Sequence, residues 1–244
     1  MFSERGHCAP ESKNREPKKL TRLFSRRTKK ANKMHLLPRA LCDKLKFEFA
    51  LHRLFSFYSF RSYPEVLPFK AETLARKGLY CVDSSTVRCK FCDFSILIDA
   101  NLKACVEREH PVCRDESFAT DVPIPDRLNL NYEACRLYTV LKREWTFFTP
   151  LDLASDGFYY TGKRDLCMCQ YCFLEVEGWE DGDTPKNQHQ HHNDLCPFLC
   201  NKSNVQNVKI GDEEAGCLHD AIGQEYQGSK QMTDAEIADA TAKK

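Results

Sequence analysis

Apolar and aromatic residues are concentrated in two blocks of the chain, and polar stretches separate and flank these blocks. The first block covers residues 47–113 and the second covers residues 132–200. Between them, residues 114–131 contain Pro123 and Pro125 in a stretch without helical periodicity, which is typical of an extended linker. The pattern therefore predicts two small folded units rather than one large core.

The second block predicts a short helix followed by two strands. Thr149 is a good N-cap for a helix over residues 151–156, and Gly157 can adopt the left-handed conformation that ends a helix. Aromatic and apolar residues then predict strands over 158–160 and 166–168. The second of these strands leads directly into a pair of cysteines.

The two blocks are copies of one pattern. The first contains the segments RLFSF at 53–57, TLARKGLY at 73–80 and VRCKFC at 87–92. The second contains RLYTV at 136–140, DLASDGFY at 152–159 and LCMCQYC at 166–172. Order and approximate spacing agree, which indicates a tandem repeat. A unit of this size buries little apolar surface, and a bound metal is a common way to stabilise it.

Four residues of the second block have the spacing of a tetrahedral zinc site: Cys169, Cys172, His189 and Cys196. The C-x2-C pair aims two sulfurs at one point, and thiolate and imidazole ligands suit Zn²⁺. All four positions are filled by the protein, so the metal is expected to be structural rather than catalytic. His191 and His192 are alternative candidates for the histidine ligand.

The first block repeats the cysteine pair at Cys89 and Cys92, and Cys113 is placed to close the site. The remaining ligand is either His110, which forms an H-x2-C pair with Cys113, or Cys105. A degenerate copy without metal is a third interpretation. The sequence thus predicts one structural Zn²⁺ for each repeat, with the first site less defined than the second.

The two ends of the chain differ from the blocks in composition and charge. Residues 1–46 carry 14 Lys and Arg against 4 Asp and Glu, a net charge of about +10. This stretch predicts a basic disordered arm, because its apolar surface is too small to offset the entropy of ordering. Residues 201–244 predict a polar tail with a net charge of about −3.

The sequence predicts a cytoplasmic protein. Its start has no apolar signal segment, and no apolar run is long enough to span a membrane. The basic arm also fits a nuclear-targeting signal, and this interpretation is favoured over nucleic-acid binding. In a reducing compartment, 14 cysteines predict metal ligands and buried thiols rather than disulfides. Cys81, Cys135 and Cys167 lie in apolar patterns and are expected to be buried thiols.

The second block resembles a baculoviral inhibitor-of-apoptosis repeat, or BIR domain. The residues that carry the resemblance are Arg136, Leu153-Ala154, Gly157-Phe158-Tyr159, Cys169, Cys172, Trp179, Asp183, Pro185, His189 and Cys196-Pro197-Phe198. The first block is similar to a diverged copy. The resemblance implies an α+β fold, in which each repeat has a three-stranded antiparallel sheet and short helices around one structural zinc ion.

The resemblance also implies a peptide-binding edge in the second repeat, where the free N-terminus of a partner would pair with a strand. The residues implied are Glu175, Val176, Glu177, Gly178, Trp179, Asp183, Gln188 and His192. Trp179 would wall the pocket for the first residue, usually alanine, and Asp183 would meet the terminal ammonium. His192 stands where the family often has an aromatic residue. The first repeat has Asp99 in place of the tryptophan, and we expect it to bind an adaptor protein instead.

Tandem repeats in a short chain are similar to the inhibitor-of-apoptosis proteins of insect viruses, which implies an anti-apoptotic protein that captures caspases or proteins with exposed N-terminal alanine. We expect no enzymatic activity and a cytoplasmic location, in the host cell if the protein is viral. A RING domain needs about eight Cys and His ligands, and residues 201–244 offer Cys217 and His219, so the chain is expected to lack one. The alternatives are an adaptor on histone tails or a partner-dependent component of a ubiquitin ligase.

Overall fold

A computed structural model describes residues 37–59, 70–99, 101–113 and 115–214. These residues form two modules of the same design, module 1 (residues 37–125) and module 2 (residues 126–213). The predictions for 1–36 and for 215–244, which include Cys217 and His219, lie outside the described residues. Within the described part of the chain, no helix is both long and apolar enough to cross a membrane.

Each module has two helices, a three-stranded sheet and a third helix. Module 1 consists of α1 (Ala50–Tyr58), α2 (Ala71–Arg76), β1 (Leu79–Cys81), β2 (Thr86–Cys89), β3 (Ser95–Leu97) and α3 (Leu102–Glu109), with 3₁₀ helices at Arg39–Lys44 and Glu116–Thr120. Module 2 consists of α4 (Glu133–Val140), α5 (Pro150–Ser155), β4 (Phe158–Tyr160), β5 (Cys167–Cys169), β6 (Glu175–Val176) and α6 (Pro185–Asn193). Both sheets are antiparallel meanders in chain order. The predicted α+β class is confirmed.

The helix-to-strand turn of module 2 follows from local chemistry. The Thr149 side chain accepts a hydrogen bond from the Asp152 N–H, and the Asp152 side chain accepts one from the Thr149 N–H, a complete capping box. The helix ends at Gly157, whose φ of +86° favours glycine. A Cβ there would lie 3.2 Å from the Tyr171 ring. This turn places β4 directly against the helix that precedes it.

A buried arginine ties the parts of module 2 together. Arg136 is fully buried on α4. Its Nε donates to the Ala154 carbonyl at 2.9 Å, and one terminal nitrogen donates to the Leu130 carbonyl at 2.7 Å. The other terminal nitrogen donates to the Asn207 side chain at 2.8 Å. One side chain therefore joins the start of the module, α5 and the segment that follows the last predicted zinc ligand.

Arg53 does the same in module 1. It is also fully buried, and its Nε donates to the Ala75 carbonyl at 2.8 Å. Its terminal nitrogens donate to the Phe47 carbonyl at 2.7 Å and to the Asp121 carboxylate at 2.5 Å. Asp121 thus occupies the place that Asn207 has in module 2. The two modules are therefore alike also in the long-range contacts that their buried arginines make.

The folded modules reach beyond the boundaries predicted from sequence. Leu37 and Leu41, placed in the basic arm, are buried. The linker contains the 3₁₀ helix Glu116–Thr120, and Val122 pairs with Phe49 in a parallel bridge. In the tail, 201–213, Val208 pairs with Tyr132 in the same way. These contacts are single bridges and isolated buried residues, which leave no periodic signal in the sequence.

The two modules share a core. Ala134, Cys135 and Leu137 on α4 of module 2 belong to the same buried cluster as Leu51 and Phe55 on α1 of module 1. A second cluster lies within module 2 around its sheet and the predicted zinc ligands. The helix α4 therefore belongs to both modules, and it fixes one against the other.

A buried polar contact reinforces this junction. The backbone N–H of Lys46 donates to Nδ1 of His52 at 2.9 Å, so the ring presents Nε2 as its donor toward Glu213, at 3.0 Å. Glu213 also accepts from the Gly211 N–H at 2.7 Å. Burial acts to raise the pKa of Glu213, but the hydrogen bond from His52, together with backbone hydrogen bonds, outweighs it and lowers that pKa. The end of module 2 is thus anchored on α1 of module 1.

Replacing Glu213 with alanine should lower the free energy of unfolding by about 1–3 kcal/mol, because His52 loses its only described acceptor in a buried site. Since the pKa of Glu213 is lowered on folding, its contribution is present above its ordinary value and disappears as the pH falls through the folded value. Urea unfolding at pH 7 and at pH 3 measures both effects. The adjacent exposed Glu214→Ala is the control, and equal effects of the two variants would contradict the assignment.

Candidate metal centres and peptide-binding edge

The structure brings Cys169, Cys172, His189 and Cys196 together in module 2. One ligand atom from each lies within 4.8 Å of all the others. Cys172 Sγ is 3.4 Å from His189 Nε2. A tetrahedral zinc site with three sulfurs and one nitrogen has ligand atoms roughly 3.5–3.8 Å apart. The four side chains therefore fit Zn²⁺ with little movement.

Three elements position these ligands. Cys169 ends β5, and the following turn passes through Phe173 at a φ of +57° before the chain enters β6. His189 lies on α6, which begins at Pro185 after Thr184 caps it by accepting from the Asn187 N–H. Cys196 follows the end of this helix. The sheet supplies one side of the site and the helix supplies the other.

The titratable groups of the cluster shift one another's pKa values. Hydrogen bonding with Cys172 and Cys196, together with burial, raises the pKa of Cys169, while hydrogen bonds from Cys169 and Cys172 lower that of Cys196. Burial opposes protonation of His189, but hydrogen bonds with Asp156 and Cys172 outweigh it and raise its pKa to about 11. The four side chains thus share protons among themselves when no metal is bound. A divalent metal that binds them displaces these protons.

Module 1 holds a second group of the same composition, made by Cys89, Cys92, His110 and Cys113. Cys92 Sγ is 3.4 Å from His110 Nε2, and Cys89 Sγ is 3.7 Å from Cys113 Sγ. Cys105 is outside this group, with its sulfur 3.9 Å from Arg108. The geometry selects His110 between the two candidates. In module 2, His191 and His192 are likewise outside the ligand group.

The thiols predicted to be structural are buried: Cys81, Cys135 and Cys167. Burial raises the pKa of all three, to about 12 for Cys135. They lie outside both ligand groups and pack as small apolar side chains.

The strand β6 is an edge of its sheet. It pairs with β5 through Cys167↔Val176 and Met168↔Glu175, and no described strand lies on its other side. Val176 points into the core, while Glu175, Glu177 and Gly178 are partly exposed. An edge of this kind offers backbone groups to an extended peptide.

Trp179 stands at the end of this edge and is 8% exposed. Its ring packs edge-on against Phe148 at 4.8 Å and Phe158 at 6.1 Å. Its indole N–H donates to the Asp165 carbonyl at 3.0 Å, and the Asp165 carboxylate accepts from the Gly178 and Trp179 N–H groups at 3.1 and 3.2 Å. Trp179 is therefore largely a core residue that exposes only a small part of its surface at the edge.

Asp183 lies in the short loop between β6 and α6. Its carboxylate accepts from the Glu180 N–H at 2.9 Å and from the Gln188 side-chain amide at 2.5 Å. Gln188 and His192 are one turn apart on α6 and share a face. A carboxylate has about four acceptor positions, so Asp183 is held in place and can still accept further hydrogen bonds.

Comparison with known protein families agrees with this arrangement. Residues 136–200 match the model of the BIR family, described as the Inhibitor of Apoptosis domain. The match contains all four ligands of module 2, the edge strand and the loop with Asp183.

The chain contains a BIR domain.

Two relatives illustrate how far this likeness extends. The apoptosis inhibitor IAP of Cydia pomonella granulosis virus is 31% identical over 100 residues, which are 37% of this chain and 36% of the relative. The human baculoviral IAP repeat-containing protein 3 is 38% identical over 73 residues, 30% of this chain and 12% of that protein. The BIR-containing segment thus matches about a third or less of these relatives.

Among solved structures, the crystal structure of DIAP1 BIR1 bound to a Grim peptide is similar. It is 31% identical and covers 38% of this chain and 93% of that structure, with a TM-score of 0.32. Module 1 lies outside the residues matched by the BIR family model. That module 1 is a second BIR domain stays a prediction, supported by its equivalent elements and ligand group.

Two residues that support the BIR site were not predicted. The Asp156 carboxylate accepts a hydrogen bond from the outer nitrogen of His189, Nδ1, at 3.2 Å, and Asp165 fixes the backbone at the end of β6. Asp156 could have been noticed, because the aligned position of the first block is Lys77, a reversal of charge. Asp165 gave no signal, since its role depends on how β5 and β6 meet.

Proposed function

We propose that this is an anti-apoptotic binding protein whose BIR domain captures the free N-terminus of caspases or of their pro-apoptotic antagonists. The observation that carries the proposal is the open edge of β6, which is followed by a loop that holds the Asp183 carboxylate in place. An extended peptide would pair with the edge, and its terminal ammonium would meet Asp183. The family description, Inhibitor of Apoptosis domain, supports the biological role.

The charge around the edge favours a cationic N-terminus. Asp183 is accompanied by Glu175 in β6 and by three acidic residues between β6 and α6: Glu177, Glu180 and Asp181. Glu177 is partly offset by Arg164, whose guanidinium lies 3.7 Å from its carboxylate. A partner with a blocked N-terminus would lose the ammonium contact, and one with an acidic first segment would be repelled.

Module 1 has a different edge and is proposed to serve another purpose. Its strand β3 exposes Leu97, which is 63% accessible, at the place of Glu177. Asp99 stands where module 2 has Trp179. We propose that this module does not capture N-termini, so the chain should bind one such peptide.

The acidic residue is tested by calorimetric titration with a peptide that begins Ala-Val-Pro. Asp183→Asn should weaken binding about 10- to 100-fold, because a hydrogen bond to a charged group contributes about 1.5–3 kcal/mol. Asp194→Asn, which removes the same charge from an exposed position of the same module, should change affinity less than about 2-fold. The N-acetylated peptide should not bind.

Two results of the titration would contradict these proposals. If the free and acetylated peptides bind equally to zinc-loaded protein, Asp183 does not receive an ammonium and the proposal is wrong. A stoichiometry of two peptides would contradict the assignment for module 1. We further propose that the protein acts by binding alone, in the cytoplasm, because its clustered cysteines are placed as metal ligands rather than free nucleophiles.

A further inference from the structure

The two ligand histidines differ in what their outer nitrogen contacts. In both sites Nε2 faces the cluster, 3.4 Å from Cys172 or from Cys92. In module 2, His189 Nδ1 lies 3.2 Å from the Asp156 carboxylate. In module 1, His110 Nδ1 is buried and has no hydrogen-bond partner among the described residues.

The sequence explains the difference. The repeat aligns Ala154-Ser155-Asp156-Gly157 with Ala75-Arg76-Lys77-Gly78, and both segments end a helix before the first strand. Where module 2 places an anion next to its histidine, module 1 places a cation. The Lys77 ammonium is a donor to the carbonyl of Pro111, the residue that follows His110.

This difference bears on metal affinity. A carboxylate that accepts the outer N–H of a ligand histidine fixes the ring orientation and makes the other nitrogen a better donor, and loss of such a partner typically lowers affinity 10- to 100-fold. An unpaired buried N–H has its own cost when the ring binds metal through Nε2. The Lys77 ammonium has no acceptor atom, so it cannot take the place of the carboxylate as a partner for the outer N–H of His110.

We propose that Asp156 is the positioning residue for His189, and that module 1, with Lys77 in its place, holds Zn²⁺ more weakly and releases it first. The two sites would then have separate roles. The zinc of the BIR domain is a permanent structural ion, while that of module 1 is exchangeable within the intact chain.

The order of release can be measured site by site on the full chain loaded with two zinc ions. The protein is exposed to EDTA for increasing times, and freed thiols are labelled with N-ethylmaleimide. Mass spectrometry of peptides then distinguishes two thiol sets, Cys89, Cys92 and Cys113 from Cys169, Cys172 and Cys196. Module 1 should be labelled at least about 10-fold faster. Equal rates, or the reverse order, would overturn the proposal.

Substitutions of Lys77 and Asp156 test whether these two residues cause the difference in the rate of zinc release. Lys77→Asp should slow release from module 1 about 10-fold or more, and Asp156→Asn should accelerate release from module 2. Arg76→Asp makes the same charge change one residue away, on an exposed side chain, and should leave the module 1 rate within about 2-fold. A gain in Lys77→Asp cannot arise from damage to the fold. If Arg76→Asp slows release equally, general charge and not the position is responsible, and the positioning role is refuted.

Cobalt substitution gives an independent readout. Co²⁺ in a Cys3His site has visible absorption that depends on ligand geometry. The Asp156→Asn spectrum should shift for one of the two ions, while the Arg76→Asp spectrum should match that of the unchanged protein. An unaltered Asp156→Asn spectrum together with an unaltered release rate would remove Asp156 from any role at the metal.

Discussion

Cys169→Ala should leave the chain with one zinc ion instead of two and should unfold module 2. A structural zinc site contributes about 10–16 kcal/mol in apparent binding free energy, which equals or exceeds the roughly 5–15 kcal/mol that a whole domain retains on folding. Both tryptophans of the chain, Trp145 and Trp179, are buried in this module. Their fluorescence should therefore shift to the red, and zinc content by atomic absorption should fall by half.

Cys167→Ala is the matched control. This thiol is fully buried on the same strand, two residues away and outside the ligand group. The substitution removes only the buried sulfur atom and should cost about 1 kcal/mol, with both zinc ions retained. If Cys169→Ala kept two zinc ions and native tryptophan emission, Cys169 would not be a ligand.

Arg136→Met should be the most damaging change away from the metal. It leaves the Leu130 carbonyl without a described donor, and an unpaired buried acceptor costs about 1–3 kcal/mol. It also removes one donor each from the Ala154 carbonyl and the Asn207 side chain, which keep the Gly157 N–H and the Tyr171 hydroxyl. We expect a loss of about 3–5 kcal/mol in the free energy of unfolding. Chemical denaturation with excess zinc, followed by tryptophan emission, measures it.

Arg127→Met changes the same pair of residue types at an exposed position and should stay within about 0.5 kcal/mol. A loss in Arg136→Met as small as that would mean that water replaces the guanidinium at low cost. In that case Arg136 would not be the connection between α4 and the segment around Asn207.

The sequence was most informative where chemistry is local. The C-x2-C turns, the Thr149 cap and Gly157 each depend on residues close in the chain, and spacing predicted the four residues that meet in module 2 and the three cysteines that meet in module 1. The choice between His110 and Cys105 as the remaining ligand could not be made from spacing, because it depends on which side chain faces the other ligands. In the structure His110 lies in the ligand group and Cys105 lies outside it, near Arg108.

The ends of the modules could not be predicted for a different reason. Val122 lies among prolines and Val208 among polar residues, and each is placed by a single bridge to the start of its module. Similarly, nothing near Glu213 indicates that it contacts His52, 161 positions earlier. Hydrophobic periodicity in the sequence reveals helices and strands, but it does not reveal single contacts between residues that are far apart in the chain. A domain defined by residues 136–200 therefore omits Leu130 and Asn207, two of the acceptors of its own buried arginine.

The contact between His52 and Glu213 has a consequence for biosynthesis. At about 5–20 residues per second, α1 is synthesised roughly 8–30 s before Glu213. Throughout that interval His52 lacks its acceptor, and the apolar face of α1 lacks the cover that α4 later gives it. The nascent chain carries this surface while the BIR domain is still being translated. Module 1 is thus synthesised first but reaches its final packing only after module 2 has been made.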